Sequence, residues 1–83
     1  MSMVLEIPDS VAAALRLPEG DKPSELLREL SVALYARGIL SFGKARELAG
    51  LERLEFGSLL SRREIPRHYE EEELVDDLAY ARR

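Results

Sequence analysis

Hydrophobic and polar positions alternate at the start of the chain, MSMVLEI. On an extended chain Met3, Leu5 and Ile7 share one side, and Val4 and Glu6 share the other. This period of two predicts a short N-terminal β-strand. A single strand cannot satisfy its own backbone groups, and in so short a chain the nearest partner is the same strand of a second copy. We therefore expect a homodimer, with a frayed terminus as the alternative.

The pattern changes to a helical period after the strand. A first helix is predicted over residues 11–17, between Pro8 at its first turn and Pro18 at its end. A second helix begins at Pro23 and ends at Gly38. Its apolar residues recur every three or four positions, at Leu26, Leu27, Leu30, Ala33 and Leu34. This wide stripe predicts that the second helix forms the core and the dimer contact.

Three further helices are predicted in the rest of the chain. Ser41 is a good N-cap for a third helix, which Gly50 can close in a left-handed conformation. A fourth helix covers residues 53–63, and residues 68–83 offer a fifth, with carboxylates near its N-terminus and arginines at its C-terminal end. The sequence thus predicts one mainly α domain, a short N-terminal β-strand followed by about five helices.

Residues 45–60, ARELAGLERLEFGSLL, have the pattern of a helix-turn-helix. The small Ala45 and Ala49 allow two helices to cross closely, and Gly50 tolerates a positive φ in the turn. Four apolar residues are placed to lock the second helix on the first: Leu48, Leu51, Phe56 and Leu59. The stretch departs from the common bacterial pattern at Arg46, a position often held by alanine.

If this unit binds DNA, its second helix is the one that contacts the bases. Arg53 is placed to address a guanine edge. The other candidate DNA-binding residues, which would hold phosphates, are Lys44, Arg46, Ser58, Ser61, Arg62 and Arg63. Glu52 and Glu55 repel phosphate, and Leu54 is apolar on the same face. Two interpretations therefore stay open, a DNA-binding unit and a packing motif that never contacts DNA.

Charge is distributed unevenly along the chain. Residues 41–67 carry six basic and four acidic side chains, whereas residues 68–83 carry two and six. Residues 1–40 carry four and six, so the helix-turn-helix segment is the only one with a positive net charge. We assign residues 1–40 to the core and dimerisation, residues 41–67 to the helix-turn-helix, and residues 68–83 to partner binding.

The acidic tail, residues 68–83, also contains dispersed apolar and aromatic residues that can become ordered on contact with a protein. The candidate partner-binding residues are Tyr69, Leu74, Val75, Leu78, Tyr80, Arg82 and Arg83. The alternative is a helix that packs on its own domain through Leu74 and Leu78. A sharper hypothesis is that Arg82 or Arg83 enters an acidic metal site of a nuclease partner.

Composition argues against several classes of protein. The chain has no cysteine, which excludes disulfides and thiolate metal sites and fits a reducing compartment. It has neither an apolar run of about 20 residues nor a signal-peptide pattern, so we expect a cytoplasmic protein without membrane contact. The single histidine, His68, gives too few ligands for a metal site and is interpreted as a polar loop residue. We expect no enzyme activity and no cofactor.

A ribbon-helix-helix fold is a further alternative for residues 2–37, because they contain a strand, a short helix and a longer helix. In that fold the paired strands would present Val4 and Glu6, or Met3 and Leu5, to the bases. These side chains read bases poorly. The dimer strand is kept in our interpretation without a role in DNA binding.

Four stretches together resemble a known family: LEIPDSVAAAL, ALYARGILSFGKARELAG, LEF in the fourth helix and IPRHYEEEELVDDLAYA. The family comprises small prokaryotic proteins catalogued as uncharacterised and usually predicted to be helix-turn-helix antitoxins, often encoded beside a PIN-domain ribonuclease toxin. The resemblance implies a type II antitoxin that neutralises such a toxin by protein contact and has operator DNA as a second partner. The alternative is a protein-interaction adaptor that does not bind DNA.

Overall fold

The structure is a computed structural model, and it describes residues 1–68 of the chain. Its helices are α1 (Asp9–Ala14), α2 (Lys22–Ala36), α3 (Phe42–Ala49) and α4 (Arg53–Arg62), with one 3-10 turn at Glu19–Asp21. The predicted mainly helical fold is confirmed for these residues. The predicted fifth helix lies outside them. None of the four helices is long and apolar enough to span a membrane.

The predicted N-terminal strand is not formed. Residues 1–8 are all exposed and belong to neither a helix nor a strand. A strand needs a neighbour for its backbone N–H and C=O groups, and no backbone hydrogen bond joins residues 1–7 to the rest of the described chain. The predicted strand is therefore not formed in a single copy, and its expected pairing with a second copy stays a prediction.

Helix α1 is shorter than predicted and packs weakly. Its first turn forms where the N–H groups of Val11 and Ala12 donate to the Pro8 carbonyl, at 3.0 and 2.9 Å. It ends at Ala14 because Leu15 has an extended conformation, with ψ of 127°. No residue of α1 is buried. Residues 1–17, called the arm below, therefore contribute nothing to the core.

A buried lysine joins the arm to the remaining helices. The side chain of Lys22 is only 10% exposed. Its ammonium donates to the Ala12 carbonyl at 2.7 Å and to Oε1 of Glu19 at 2.8 Å. These bonds fix the end of α1 beside the first turn of α2. Residues 22–68 are called the helical body below.

Helix α2 has the predicted ends but a different buried face. Pro23 stands in its first turn, and Gly38 follows its last turn with a φ of 74°. The predicted core stripe of α2 is wrong, since Leu27 and Ala33 are exposed and its other members are only half-buried. The buried residues of the second half are Ser31, Val32 and Tyr35. This face of α2 is the buried one because the ring of Tyr35, rather than the leucine stripe, packs in the core against the other helices.

Helices α3 and α4 are joined by a three-residue turn, as the helix-turn-helix pattern predicts. The Ser41 side chain caps α3 by accepting from the Lys44 N–H at 3.3 Å. Gly50 closes α3 with a φ of 70°, and a capping box between Glu52 and Glu55 starts α4. The bounds and caps of α3 are thus confirmed, and α4 begins where predicted and ends one residue earlier.

Three aromatic rings, Tyr35, Phe42 and Phe56, form the centre of the core and are called the aromatic cluster below. All three are at most 1% exposed. Their centroids lie 5.3 to 6.1 Å apart in edge-to-face arrangements, which suit the charge distribution of aromatic rings. The small buried Ala45 and Ala49 allow close packing of α3. One ring from each of α2, α3 and α4 therefore sets the position of α4.

Candidate nucleic-acid interface

Helix α4 has one side in the core and the opposite side open to solvent. Phe56 and Leu60 are buried, at 0% and 2% exposure. Ser58, Ser61 and Arg62, three of the residues predicted to bind DNA, lie away from the core, whereas Arg53, three positions before Phe56, lies at the edge of the core-facing side. Arg53 is half-buried and the other three are exposed. Helix α4 therefore offers two guanidinium groups and two hydroxyls, and its packing against the core fixes its position.

The remaining predicted DNA-binding residues lie elsewhere. Lys44 is exposed on α3, with its ammonium 3.5 Å from Oε1 of Glu47. Arg46 is buried, and its Nη1 donates to the Leu51 carbonyl at 3.5 Å, inside the turn. The assignment of Arg46 to a phosphate-binding surface is therefore corrected. Its guanidinium holds the turn between α3 and α4.

Arg63 is committed to a contact within the helical body. Its Nη1 donates to Oε1 of Glu29 at 2.7 Å, and its Nη2 donates to the second carboxylate oxygen. The hydrogen bond from Arg63 lowers the pKa of the Glu29 carboxyl below its usual value of 4.5. This pair ties the end of α4 to α2, so Arg63 is a weaker candidate for phosphate contact than Arg62.

The structure adds Arg67, which the sequence-based site did not include. The central guanidinium carbon of Arg67 lies 3.7 Å from the Phe42 ring centroid, and that of Arg53 lies 5.3 Å from the same centroid. Cation–π attraction holds both side chains beside one buried ring. The positive net charge of the segment was the only sequence signal for Arg67, because its contact spans 25 positions of the chain.

Arg53 and Arg67 line an open groove of about 430 Å³ along α4. Ser58, Ser61 and Gly57 also line it. A β-carbon built on Gly57 would meet no atom within 4 Å, so no neighbouring group requires a glycine there. The helix backbone is instead accessible from the groove. A phosphate or base edge can approach α4 more closely here than beside a larger residue.

The acidic residues of α4 are gathered at its N-terminal end. Oε1 of Glu55 accepts from the Glu52 N–H at 3.1 Å as part of the capping box. Both carboxylates therefore interact with the positive end of the helix dipole, which lowers their repulsion of an approaching phosphate. The exposed positive charge of α4 lies at its opposite end, at Arg62.

A second groove, of about 770 Å³, runs between α2 and α4. Its lining includes Glu25, Arg28, Leu51, Leu54, Ser58 and Arg62. Leu54 lines both grooves and is 89% exposed. A mixed apolar and charged lining suits a protein partner better than DNA.

The chain that follows α4 returns to α2. Ile65 packs against the core, and the His68 N–H donates to the hydroxyl of Tyr35. The ring of His68 lies on Tyr35, with centroids 4.7 Å apart. His68 is half-buried, so the polar-loop interpretation was incomplete. The predicted partner-binding residues all lie outside the described residues: Tyr69, Leu74, Val75, Leu78, Tyr80, Arg82 and Arg83.

Comparison with known proteins gives a family match over the whole chain. The model of the Uncharacterised protein family (UPF0175) matches residues 1–83. A UPF0175 protein of Aeropyrum pernix is 44% identical over 98% of this chain and 86% of its own length. A UPF0175 protein of Synechocystis is 34% identical over 96% and 85%, and one of Archaeoglobus fulgidus is 46% identical over 71% and 70%. No solved structure matches the chain significantly.

Proposed function

The chain belongs to the Uncharacterised protein family (UPF0175), and from that premise and the geometry of α4 we propose that it is a DNA-binding antitoxin. Helix α4 binds operator DNA, and the acidic tail neutralises a PIN-type ribonuclease toxin by protein contact. The exposed side of α4 supports the first activity. The second is supported by the resemblance to predicted antitoxins and by the acidic, apolar-containing sequence of residues 69–83.

The observation that carries the DNA-binding half is the fixed position of α4. The aromatic cluster and Leu60 hold its inner side, so its outer side cannot rotate without breaking the core. That outer side offers Arg62 with two serine hydroxyls, and the half-buried Arg53 lies at its edge beside Phe42. Guanidinium groups form paired hydrogen bonds with guanine edges and phosphates, and hydroxyls bind phosphate oxygens. Positioned donors of these kinds are what a recognition helix needs.

The proposal divides the expected DNA contacts by type. Arg53 is the first residue of α4 and is assigned to a hydrogen-bonding contact with the edge of a base. Arg67 lines the same groove as Arg53, and Arg62 lines the groove between α2 and α4; both are assigned to phosphates. With about three charged contacts for each copy, the logarithm of affinity should fall against the logarithm of salt with a slope of about −3 per copy.

Titration of promoter DNA from the protein's own operon tests this half. Binding is followed by fluorescence anisotropy over a range of salt concentrations. Arg62→Ala should weaken binding to all sequences and reduce the salt slope by about 1. Arg16→Ala removes the same charge from an exposed position in the arm and serves as the matched control. Absence of promoter-specific binding at low salt would contradict the proposal.

Inhibition of a PIN-type nuclease encoded beside the gene tests the other half. RNA cleavage is measured with increasing amounts of the full-length chain. Leu74→Glu with Leu78→Glu should relieve the inhibition, because both changes replace apolar anchors by charges in the tail. The same variant should keep its affinity for the promoter. If it still inhibits the nuclease fully, the tail is not the neutralising segment.

The exposed Leu54 favours the second candidate function, a protein-interaction adaptor. An apolar side chain between two grooves suits a protein anchor and contributes nothing to phosphate binding. Leu54→Ser separates the two functions. The DNA-binding proposal predicts unchanged promoter affinity, whereas the adaptor predicts loss of a protein partner together with no DNA affinity in the wild type.

A further inference from the structure

The arm concentrates the exposed apolar residues of the described chain. Met3 and Val4 are 85% and 86% exposed, Leu5 is 66% exposed, and Ile7 and Val11 remain about half exposed. Each such side chain left in water forgoes roughly 1.5–3 kcal/mol of burial free energy. A contiguous run of this kind marks an interaction surface rather than the scattered apolar residues of an ordinary protein surface.

The arm leaves the helical body at a defined point. Lys22 holds the end of α1 through the Ala12 carbonyl, and the Pro8 carbonyl begins α1 directly after the extended segment. The extended residues are therefore displayed from a fixed base.

The backbone of this segment also needs a partner. Residues 1–7 make no backbone hydrogen bond to other described residues. Exposed edges are commonly protected by lysine, proline or inward-facing charges, and residues 1–7 contain neither lysine nor proline. Glu6 is their single charged side chain. The segment thus has the composition of a paired strand rather than of a protected edge.

We propose that residues 2–7 of two copies pair as an antiparallel β-ribbon about a twofold axis and form the dimer interface of this protein. A second copy fits because a twofold interface uses the same surface twice, and both faces of this strand carry apolar residues. Parallel pairing would place the two Glu6 carboxylates opposite each other. Antiparallel pairing centred on Leu5 places Glu6 opposite Val4 and avoids this repulsion.

Pro8 sets the length of the ribbon. It lacks the N–H needed to continue the ladder, so pairing stops where α1 begins. The pairing leaves the exposed side of α4 available and does not depend on DNA binding. It also supplies the burial that a chain of 83 residues lacks, since so small a domain buries only about 60% of its unfolded surface.

A cysteine scan tests the geometry directly, because the chain contains no cysteine. Cysteine is introduced singly at Met3, Val4, Leu5 or Glu6, and oxidised dimers are measured without DNA. The same residue meets itself only near the twofold axis, so cross-linking should peak at one or two adjacent positions. Ile39→Cys, at a 55% exposed position outside the arm, is the control. Equal cross-linking at Ile39 and throughout the arm would overturn the proposal.

Sedimentation equilibrium provides a second measurement. The wild type should be a dimer, and Leu5→Arg should raise its dissociation constant on the order of 100-fold or more, because the interface contains the substitution twice. Helix content should be unchanged, since Leu5 lies outside every helix and is 66% exposed in one copy. Leu54→Arg, on α4, should remain dimeric. A wild-type monomer, or a dimer unaffected by Leu5→Arg, would refute the ribbon, whether or not the protein binds DNA.

Discussion

The arm and the helical body use hydrophobic residues in opposite ways. The arm places apolar side chains at regular spacing and leaves all of its large ones exposed or half-exposed. The body places Tyr35, Phe42 and Phe56 at distant positions and buries them almost completely. Periodicity alone does not decide burial. A residue is buried when three elements converge on it, and in one copy that convergence occurs only in the body.

The largest effect should come from removing a ring of the aromatic cluster. Phe56→Ala deletes a fully buried side chain of α4 and should lower the free energy of unfolding by about 3–5 kcal/mol. Leu54→Ala, two positions away on the exposed side, should change it by less than about 0.5 kcal/mol. Urea denaturation followed by circular dichroism measures both. If both variants lost similar amounts of unfolding free energy, the contrast between buried and exposed residues would be contradicted.

Lys22→Met should have the next largest effect. The change keeps the length of the side chain but removes the bond that holds the arm at Ala12 and the ion pair with Glu19, at a cost of about 1–2 kcal/mol. The arm should also become more sensitive to limited proteolysis while the body stays resistant. Lys44→Met, at an exposed position of α3, provides the matched control and should alter neither property.

Gly57→Ala should raise stability and lower function. An interior glycine weakens a helix by about 1 kcal/mol relative to alanine, and a β-carbon here would meet no neighbour. Thermal unfolding should therefore show a gain of about that size. Promoter affinity should fall if the open backbone admits a DNA group. Gly50→Ala is the informative contrast, since its φ of 70° makes the same substitution destabilising.

The smallest effect concerns the ion pair between Glu29 and Arg63. Both side chains are partly exposed, so Glu29→Gln should cost less than about 1 kcal/mol. Because the pKa of Glu29 is lowered in the folded state, the pair stabilises the protein above about pH 4.5 and loses this effect as pH falls through the lowered pKa. The wild type and the variant should therefore converge in stability under acid conditions. If the difference in stability between the wild type and the variant persists at pH 2, the ion pair is not its cause.

The sequence predicted the local features of the body well. Ser41, Gly38 and Gly50 end or begin helices where expected, because caps and positive φ values depend on a few neighbouring residues. The exposure of Ser58, Ser61 and Arg62 was also predicted from the pattern, whereas Arg53, expected to address a base, is half-buried. These are short-range rules, and the composition of the turn satisfies each of them.

Features that depend on tertiary partners were predicted less well. The leucine stripe of α2 was taken for the core, but the buried face is set by Tyr35, which meets rings from α3 and α4. Arg46 was placed on a phosphate-binding surface because its burial depends on the turn it supports. Arg67 was not included in the site because its contact with Phe42 joins distant parts of the chain.

The contact between His68 and Tyr35 fixes the position of the residue that precedes residues 69–83. Residues 69–83 number fifteen, and a fully extended chain of fifteen residues spans no more than about 50 Å. A nuclease bound by residues 69–83, as proposed, would therefore stay within one or two protein diameters of α4. The bound nuclease and the bound operator DNA would then lie close together. Binding of either one would therefore change the local concentration of the other.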